Sequence, residues 1–368
     1  MPIPAFDLKL QYAEIGDEIE AAVQQVLRST QYILGPHVSE FEGAMADYTG
    51  AAHAVGVSSG SDALLVAMMS EGIGAGDEVV TTAYSFFATA GSIARLGARP
   101  VLVDIDPVTY NVDVAAMNEA CTERTRAVMP VHLYGQMADM PAIVELAKTH
   151  GAVVIEDAAQ AIGARISGRS AGSWGDIGCF SFYPTKNLGA AGDGGLVTTG
   201  DAERAEHLRV LRAHGSKPKY FHHEVGGNFR LDALQAAILQ VKLRHLDRWI
   251  ERRRGIAAHY AQRLGAFEEL TLPSVADEHF HVYHQFVVRH PRRDALRAHL
   301  SARGIGTGIY YPRPFHLQQC FEGLGYGAGD FPESEGAAEQ TLALPMFPEL
   351  TQGQVDEVCD NIRDFCVG

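Results

Sequence analysis

Between residues 52 and 157 the chain alternates short β-branched runs with helical patterns, and this rhythm limits the fold more than any other feature. AHAVGV (52–57) precedes SDALLVAMMSEG, EVVTTAY (78–84) precedes a helix towards Arg95, and ARPVLVDI (98–105) follows it. TRAVMPVHL (125–133) leads into MADMPAIVELAKTHG, and AVVIED (152–157) begins another run. Strands separated in this way predict an α/β fold with a mostly parallel sheet covered on both faces. Ahead of it, Ile15, Ile19, Val23 and Val26 share one helical face. Ser39 and Glu42 form a capping-box pattern that predicts the start of a second helix, with Phe41, Met45 and Tyr48 inward.

After GGLVTTG (194–200) the pattern changes. Residues 201–214 and 231–264 read as helices, and a shorter α+β pattern follows. In it QFVVRH and IGTGIYY read as strands, with RRDALRAHLSARG and the terminal QGQVDEVCDNIRDFCV as helices. A chain of 368 residues accommodates two domains, predicted here as a large domain over 1–250 and a smaller α+β domain over 251–368.

Charge and cysteine usage narrow the function classes. Thirty basic against forty-five acidic residues leave a net charge of −15, which disfavours nucleic acid as a partner. The longest charge-free stretch, Val79 to Ala94, is too short and too polar to span a bilayer, so no membrane association is expected. MPIPAFDLKLQYAE shows no signal-peptide pattern. Cys121, Cys179, Cys320, Cys359 and Cys366 lack a CxxC spacing and read as reduced thiols of a cytoplasmic protein.

Four segments carry candidate chemistry. VGVSSGSDALL (55–65) is a strand, a Ser/Gly turn and a helix. Free N–H groups at that helix start, with the Ser59 and Ser61 hydroxyls, suit an anion, although many such turns are only tight connections. It matches neither GxGxxG nor GxxxxGK[ST], which disfavours NAD and P-loop nucleotides. In VVIEDAAQAIGA (153–164), Glu156 and Asp157 end a buried strand, where ligands of open α/β sheets gather; the alternative is a solvated or helix-capping pair. GDIGCFSFYPTKNLGAAGDGG (175–195) places Lys186 among aromatic and small residues. A desolvated lysine has a lowered pKa and reacts with carbonyls, whereas an ordinary one is a surface residue. SKPKYFHHEVGGNFRLDALQAA (216–237) is a basic polar loop entering a helix, either solvated or anion-binding. His279, His281 and His284 form H-x-H-x-x-H, but on a strand the third points away from the other two, so no metal site is expected.

Together these segments resemble the DegT/DnrJ/EryC1/StrS sugar aminotransferases, pyridoxal-phosphate enzymes of the aspartate-aminotransferase fold. The resemblance runs through QYILGP (31–36), AYSFFATA, DIDPVTYNVD (104–113), PVHLYGQ (130–136), EDAAQAIGA, PTKNLGAAGDGG, GGNFRLDALQAA and GIYYPRP (308–314). It implies that Lys186 binds pyridoxal phosphate covalently and that Asp157 holds the pyridinium nitrogen. It also implies that Phe86 stacks on the ring, that Gln160 lies against its other side or touches the ring oxygen, and that Ser59, Gly60, Ser61 and Ser181 hold the phosphate with Asn228 of a second subunit. Tyr183, Tyr310, Tyr311 and His316 would line a sugar pocket, with Lys219 and Arg230 near a diphosphate or carboxylate. The tyrosine pair is equally compatible with core packing.

The activity so implied is transamination of a dTDP- or UDP-linked keto sugar, with glutamate as donor and pyridoxamine phosphate as intermediate. NFRLDALQAAILQVKL (228–243) is closer to members acting on 3-keto than on 4-keto sugars. A regulatory, non-enzymatic protein on the same fold is the alternative of another class.

Overall fold

The computed structural model describes residues 2–367. Its centre is a seven-stranded sheet of β1 (His53–Val57), β2 (Glu78–Thr82), β3 (Arg99–Val103), β4 (Thr125–Met129), β5 (Val153–Asp157), β6 (Ile177–Ser181) and β7 (Gly195–Thr199), in the order β1-β7-β6-β5-β4-β2-β3. All neighbours are parallel except β7, which runs antiparallel to both β1 and β6. Successive residues enter opposite cores. Val80, Val128, Val154 and Leu196 join one apolar cluster, while Val79, Ala127, Ile155 and Val197 join another. Two buried faces explain why these strands read as continuous apolar runs.

The helices before and among these strands are α1 (Leu8–Ser29), α2 (Pro36–Thr49), α3 (Gly60–Ser70), α4 (Ala88–Arg95), α5 (Val114–Ala120), α6 (Met140–His150) and α7 (Ala202–Leu211). In α1, Ile15, Ile19 and Val26 are buried as the periodicity predicts. The capping box is a misreading. Helix α2 starts at Pro36, where a missing N–H costs nothing, so Ser39 and Glu42 lie inside it. Glu42 instead forms a buried ion pair with Arg212 and accepts the Gly56 N–H at 2.8 Å.

Beyond β7 come α8 (Ala233–Leu243) and α9 (Leu246–Leu264), which breaks the single expected helix at Arg244–His245. Helix α9 joins two cores. Leu246 and Ile250 pack with the main sheet, while Ile256, Ala257, Tyr260 and Leu264 pack with β8 (Phe286–Arg289), α10 (Arg293–Ser301), β9 (Thr341–Leu344) and α12 (Gln352–Val367). Ile3 joins this second core through a bridge to Ile305. Helix α11 (Pro332–Gln340) precedes β9. QFVVRH is a strand, but its partner is β9. IGTGIYY is not a strand. Gly308 makes one bridge to Ala343, after which the Tyr310 carbonyl and Tyr311 N–H bond to the Tyr84 hydroxyl at 2.9 and 2.8 Å. No helix among the described residues is long and apolar enough to cross a membrane.

Candidate active site

The carboxyl ends of β1, β2, β5 and β6 open into a cavity of about 450 Å³. Its floor is built by close backbone approach. A Cβ on Gly60 would lie 2.5 Å from the Ser181 Cβ, and one on Gly195 would lie 2.3 Å from the Ser59 carbonyl oxygen. Glycine at both places lets the start of α3 interlock with the ends of β6 and β7. Ser59 caps α3 by accepting the Asp62 N–H at 3.0 Å. Among the described residues the Gly60 and Ser61 N–H groups have no hydrogen-bond acceptor, so two donors at a positive helix end face the cavity. This cradle suits a phosphate.

Lys186 reaches the cavity from a loop pinned at several points. Phe182 and Ala190 close it through backbone bonds of 2.8 Å to Gly194 and from Ala190 to Phe182, and Lys186 N–H bonds the Tyr183 carbonyl at 2.8 Å. Lys242 donates to the Gly189 carbonyl at 2.7 Å and Asn187 to the Val282 carbonyl at 3.1 Å. Among the described residues no carboxylate is in contact with the half-buried Lys186 ammonium. Desolvation pushes its pKa down to about 8, while the charge of Asp157 opposes the shift. Asp157, at the end of β5, is 5% exposed. Its Oδ1 accepts from the Ala159 N–H at 3.2 Å and its Oδ2 from the Thr89 hydroxyl at 2.8 Å. Burial raises its pKa, and Thr89, Ala159 and Lys186 oppose that rise.

The aromatic wall comes from two distant parts of the chain, and Tyr310 and Tyr311 pack on a cluster that includes Tyr84 and Tyr134. Phe86 is exposed to the cavity and lies 5.8 Å from Tyr311 in a tilted pair. Gln160 is committed at both ends, accepting the Tyr134 N–H at 2.7 Å and donating to the Tyr311 hydroxyl at 3.0 Å. Ser181, Tyr183 and Tyr310 also line the cavity. A shallow cradle for an anion, a carboxylate, an amine and an aromatic face therefore converge. This donor set fits a phosphorylated, protonated pyridine aldehyde.

The expected residues divide by position. Ser59, Gly60, Ser61, Phe86, Asp157, Gln160, Ser181, Tyr183, Lys186, Tyr310 and Tyr311 line one cavity. His316 does not: it is buried against Phe331, with Nε2 2.9 Å from Glu335, because PRPFH turns inward after Tyr311. Lys219 sits over the exposed Tyr220 ring, Asn228 is exposed, and Arg230 borders an adjoining depression that shares Ser59 and Asp193 with the cavity. None of these three lines the cavity of its own chain.

Glu156, the neighbour of Asp157, takes a structural part. It points to the opposite face and accepts from Gly172, Trp174 and Gly175 N–H groups at 2.7–2.8 Å and pairs with His132 at 2.9 Å. Ser85, Thr89 and His284 were overlooked as site residues. The first two lie in AYSFFATA, whose aromatic residue is its clearest signal, and His284 stands in sequence only as the third histidine of H-x-H-x-x-H. His284 lines the cavity, and burial with the nearby Lys186 charge keeps it neutral by lowering its pKa. No group of three potential metal ligands occurs among the described residues.

The sequence profile described as the DegT/DnrJ/EryC1/StrS aminotransferase family matches residues 13–363. A "pleiotropic regulatory protein" of Geobacillus stearothermophilus is 53% identical, with 99% of each chain covered. The dTDP-3-amino-3,4,6-trideoxy-alpha-D-glucose transaminase of Streptomyces venezuelae is 46% identical, over 99% of this chain and 96% of its own. The crystal structure of S. venezuelae DesV in complex with a ketimine intermediate superposes with a TM-score of 0.97 at 46% identity, covering 99% of this chain and 98% of that one.

Proposed function

The chain belongs to the DegT/DnrJ/EryC1/StrS aminotransferase family, and we propose that it aminates a nucleotide-linked 3-keto hexose with glutamate as donor. One observation carries the reading: a half-buried lysine, in contact with no carboxylate among the described residues, shares a cavity with a buried aspartate and a helix-start anion cradle. Pyridoxal phosphate, once bound, supplies an electron sink that stabilises negative charge at the carbon losing a proton. The Gly60 and Ser61 N–H groups and the Ser181 hydroxyl would hold its phosphate and Asp157 its ring nitrogen, whereas the Ser59 hydroxyl, expected at the phosphate, spends its proton on Asp62 Oδ2 at 2.9 Å. Phe86 and Gln160 keep the ring plane.

Lys186 then does the proton work. As a neutral amine its Nζ takes a proton from Cα of the amino-acid donor, and in the second half it delivers one to the former carbonyl carbon of the sugar. A pKa near 8 keeps an appreciable neutral fraction at working pH. Tyr183, Tyr310 and Tyr311 give the sugar an aromatic wall with hydroxyl donors.

The proposed active unit is a homodimer. Asn228, Lys219 and Arg230 lie outside their own cavity, and the same loop exposes Tyr220, Phe221 and Val225. A second copy placing this loop at the neighbour's cavity adds Asn228 to the phosphate and Lys219 and Arg230 to the sugar diphosphate. Five unpaired thiols support action in the cytoplasm.

The relative with a regulatory name does not displace this reading, because Lys186, Asp157 and the glycine cradle are all in place. The test measures 2-oxoglutarate release from glutamate against a panel of dTDP- and UDP-linked 3-keto and 4-keto sugars. Turnover with 3-keto sugars is expected. Turnover confined to 4-keto sugars reverses the position, and no turnover with any member contradicts the activity.

A further inference from the structure

We propose that Thr89 is a positioning residue for Asp157: its hydroxyl keeps the carboxylate ionised and aimed, and Ser85 sets the direction of that hydroxyl. The inference rests on the reading that Asp157 faces a protonated ring nitrogen. It starts from the number of protons available. An ionised carboxylate only accepts, so the single Thr89 hydroxyl proton points at Asp157 Oδ2, 2.8 Å away. The Thr89 oxygen is then left as an acceptor, and the Ser85 hydroxyl, 3.2 Å away, becomes the donor to it. A directed chain therefore runs from Ser85 on the cavity wall through Thr89 to Asp157.

The geometry holds Thr89 firmly. It sits in the first turn of α4, is wholly buried, and its N–H bonds the Phe86 carbonyl at 3.1 Å. A β-branched side chain in a helix has few χ1 choices, so the backbone largely fixes where the hydroxyl points. Among the described residues no other group donates to Oδ2, while Oδ1 has the Ala159 N–H. The charged and titratable groups around the carboxylate are Lys186 on the β6–β7 loop, His132 after β4, Cys179 on β6, Tyr311 from the segment that follows Gly308 and the adjoining Glu156. None replaces the missing donor if Thr89 loses its hydroxyl.

Removing the hydroxyl leaves a desolvated oxygen without a donor, which disfavours the charged form. The carboxylate then protonates at higher pH, so cofactor affinity falls off earlier on the acid side. The experiment titrates pyridoxal 5′-phosphate alone into apoprotein between pH 5 and 9 by fluorescence, for wild type, Thr89→Val, Thr89→Ser and Ser85→Ala. Thr89→Val is expected to bind about tenfold more weakly near neutrality, with the acid limb moved up by about one pH unit. Thr89→Ser restores both, and Ser85→Ala moves the limb the same way by less. An unmoved acid limb in Thr89→Val, with only its melting temperature lowered, overturns the inference while leaving the proposed function standing. Failure of Thr89→Ser to restore the limb also overturns it. If wild-type apoprotein does not bind the cofactor at all, the reading beneath the inference fails with it.

Discussion

The β6–β7 loop that carries Lys186 and the 214–230 segment that carries Lys219 and Asn228 are both rich in glycine, yet they are built for different tasks. The first is closed on itself and clamped by Lys242, Asn187 and Gln235, so its lysine arrives in the cavity with a fixed backbone. The second is also tied down by backbone bonds, among them Gly227 to Leu211, Phe229 to Arg212 and His223 to Gly215, but it leaves the Lys219, Tyr220, Phe221 and Asn228 side chains in solvent. A clamped loop suits a group that moves protons, because small misplacements there are costly. An exposed loop suits a group completed by a neighbour. The proposed chemistry is thus lodged within one chain, and part of the proposed binding is lodged between two.

The sharpest break of this comparison is Asp157→Asn, which keeps the shape but cannot balance a protonated ring nitrogen. Losing one partner of a buried charge pair costs ~3–5 kcal/mol, so turnover in both half-reactions should fall by about two to four orders of magnitude. Near-normal rates, measured by single-turnover absorbance, would remove the electron-sink role.

The next largest effect tests the division between chains. Asn228→Ala alone should weaken phosphate holding by ~1–3 kcal/mol. Mixing it with Lys186→Ala should restore activity well above either mutant, because one site of each heterodimer then holds both native residues. If mixing restores nothing while Asn228→Ala is clearly impaired alone, Asn228 acts within its own chain.

Intermediate in size is the pH response of the clamped loop. Because desolvation lowers the Lys186 pKa to about 8, its reactive neutral form is lost as pH falls below that value. The rate of pyridoxal phosphate capture by apoprotein should therefore rise through about pH 8, not through the ordinary lysine range. The smallest effect is expected at the exposed loop. Lys219→Ala should raise KM for the nucleotide sugar several-fold, about a kcal/mol, and the difference should shrink in high salt.

Legibility followed the same line. β-Branched runs with both faces buried announced β1 to β5, and Lys186 and Asp157 stood out because each lies beside apolar sequence. What depended on distant partners stayed hidden. Glu42 resembled a capping residue because its partner, Arg212, is far along the chain. Thr89 is an ordinary helix residue until Asp157 is folded beside it. Strand β9 is only four residues long and gains its identity from β8, while the α8–α9 break carries no Gly or Pro to mark it. His316 follows the tyrosine pair in sequence and so reads as a site residue, but the turn at Pro312–Pro314 sends it into the core.

The central claim is that Lys186 is the reactive amine of a pyridoxal-phosphate aminotransferase. Protein loaded with the cofactor should be reduced with borohydride, digested and mapped by mass spectrometry. The account predicts one phosphopyridoxyl label, on the peptide containing Lys186, and none in Lys186→Ala. A label on Lys242, the other lysine buried near the loop, or on an exposed lysine such as Lys148 or Lys217, with Lys186 unmodified, would contradict it.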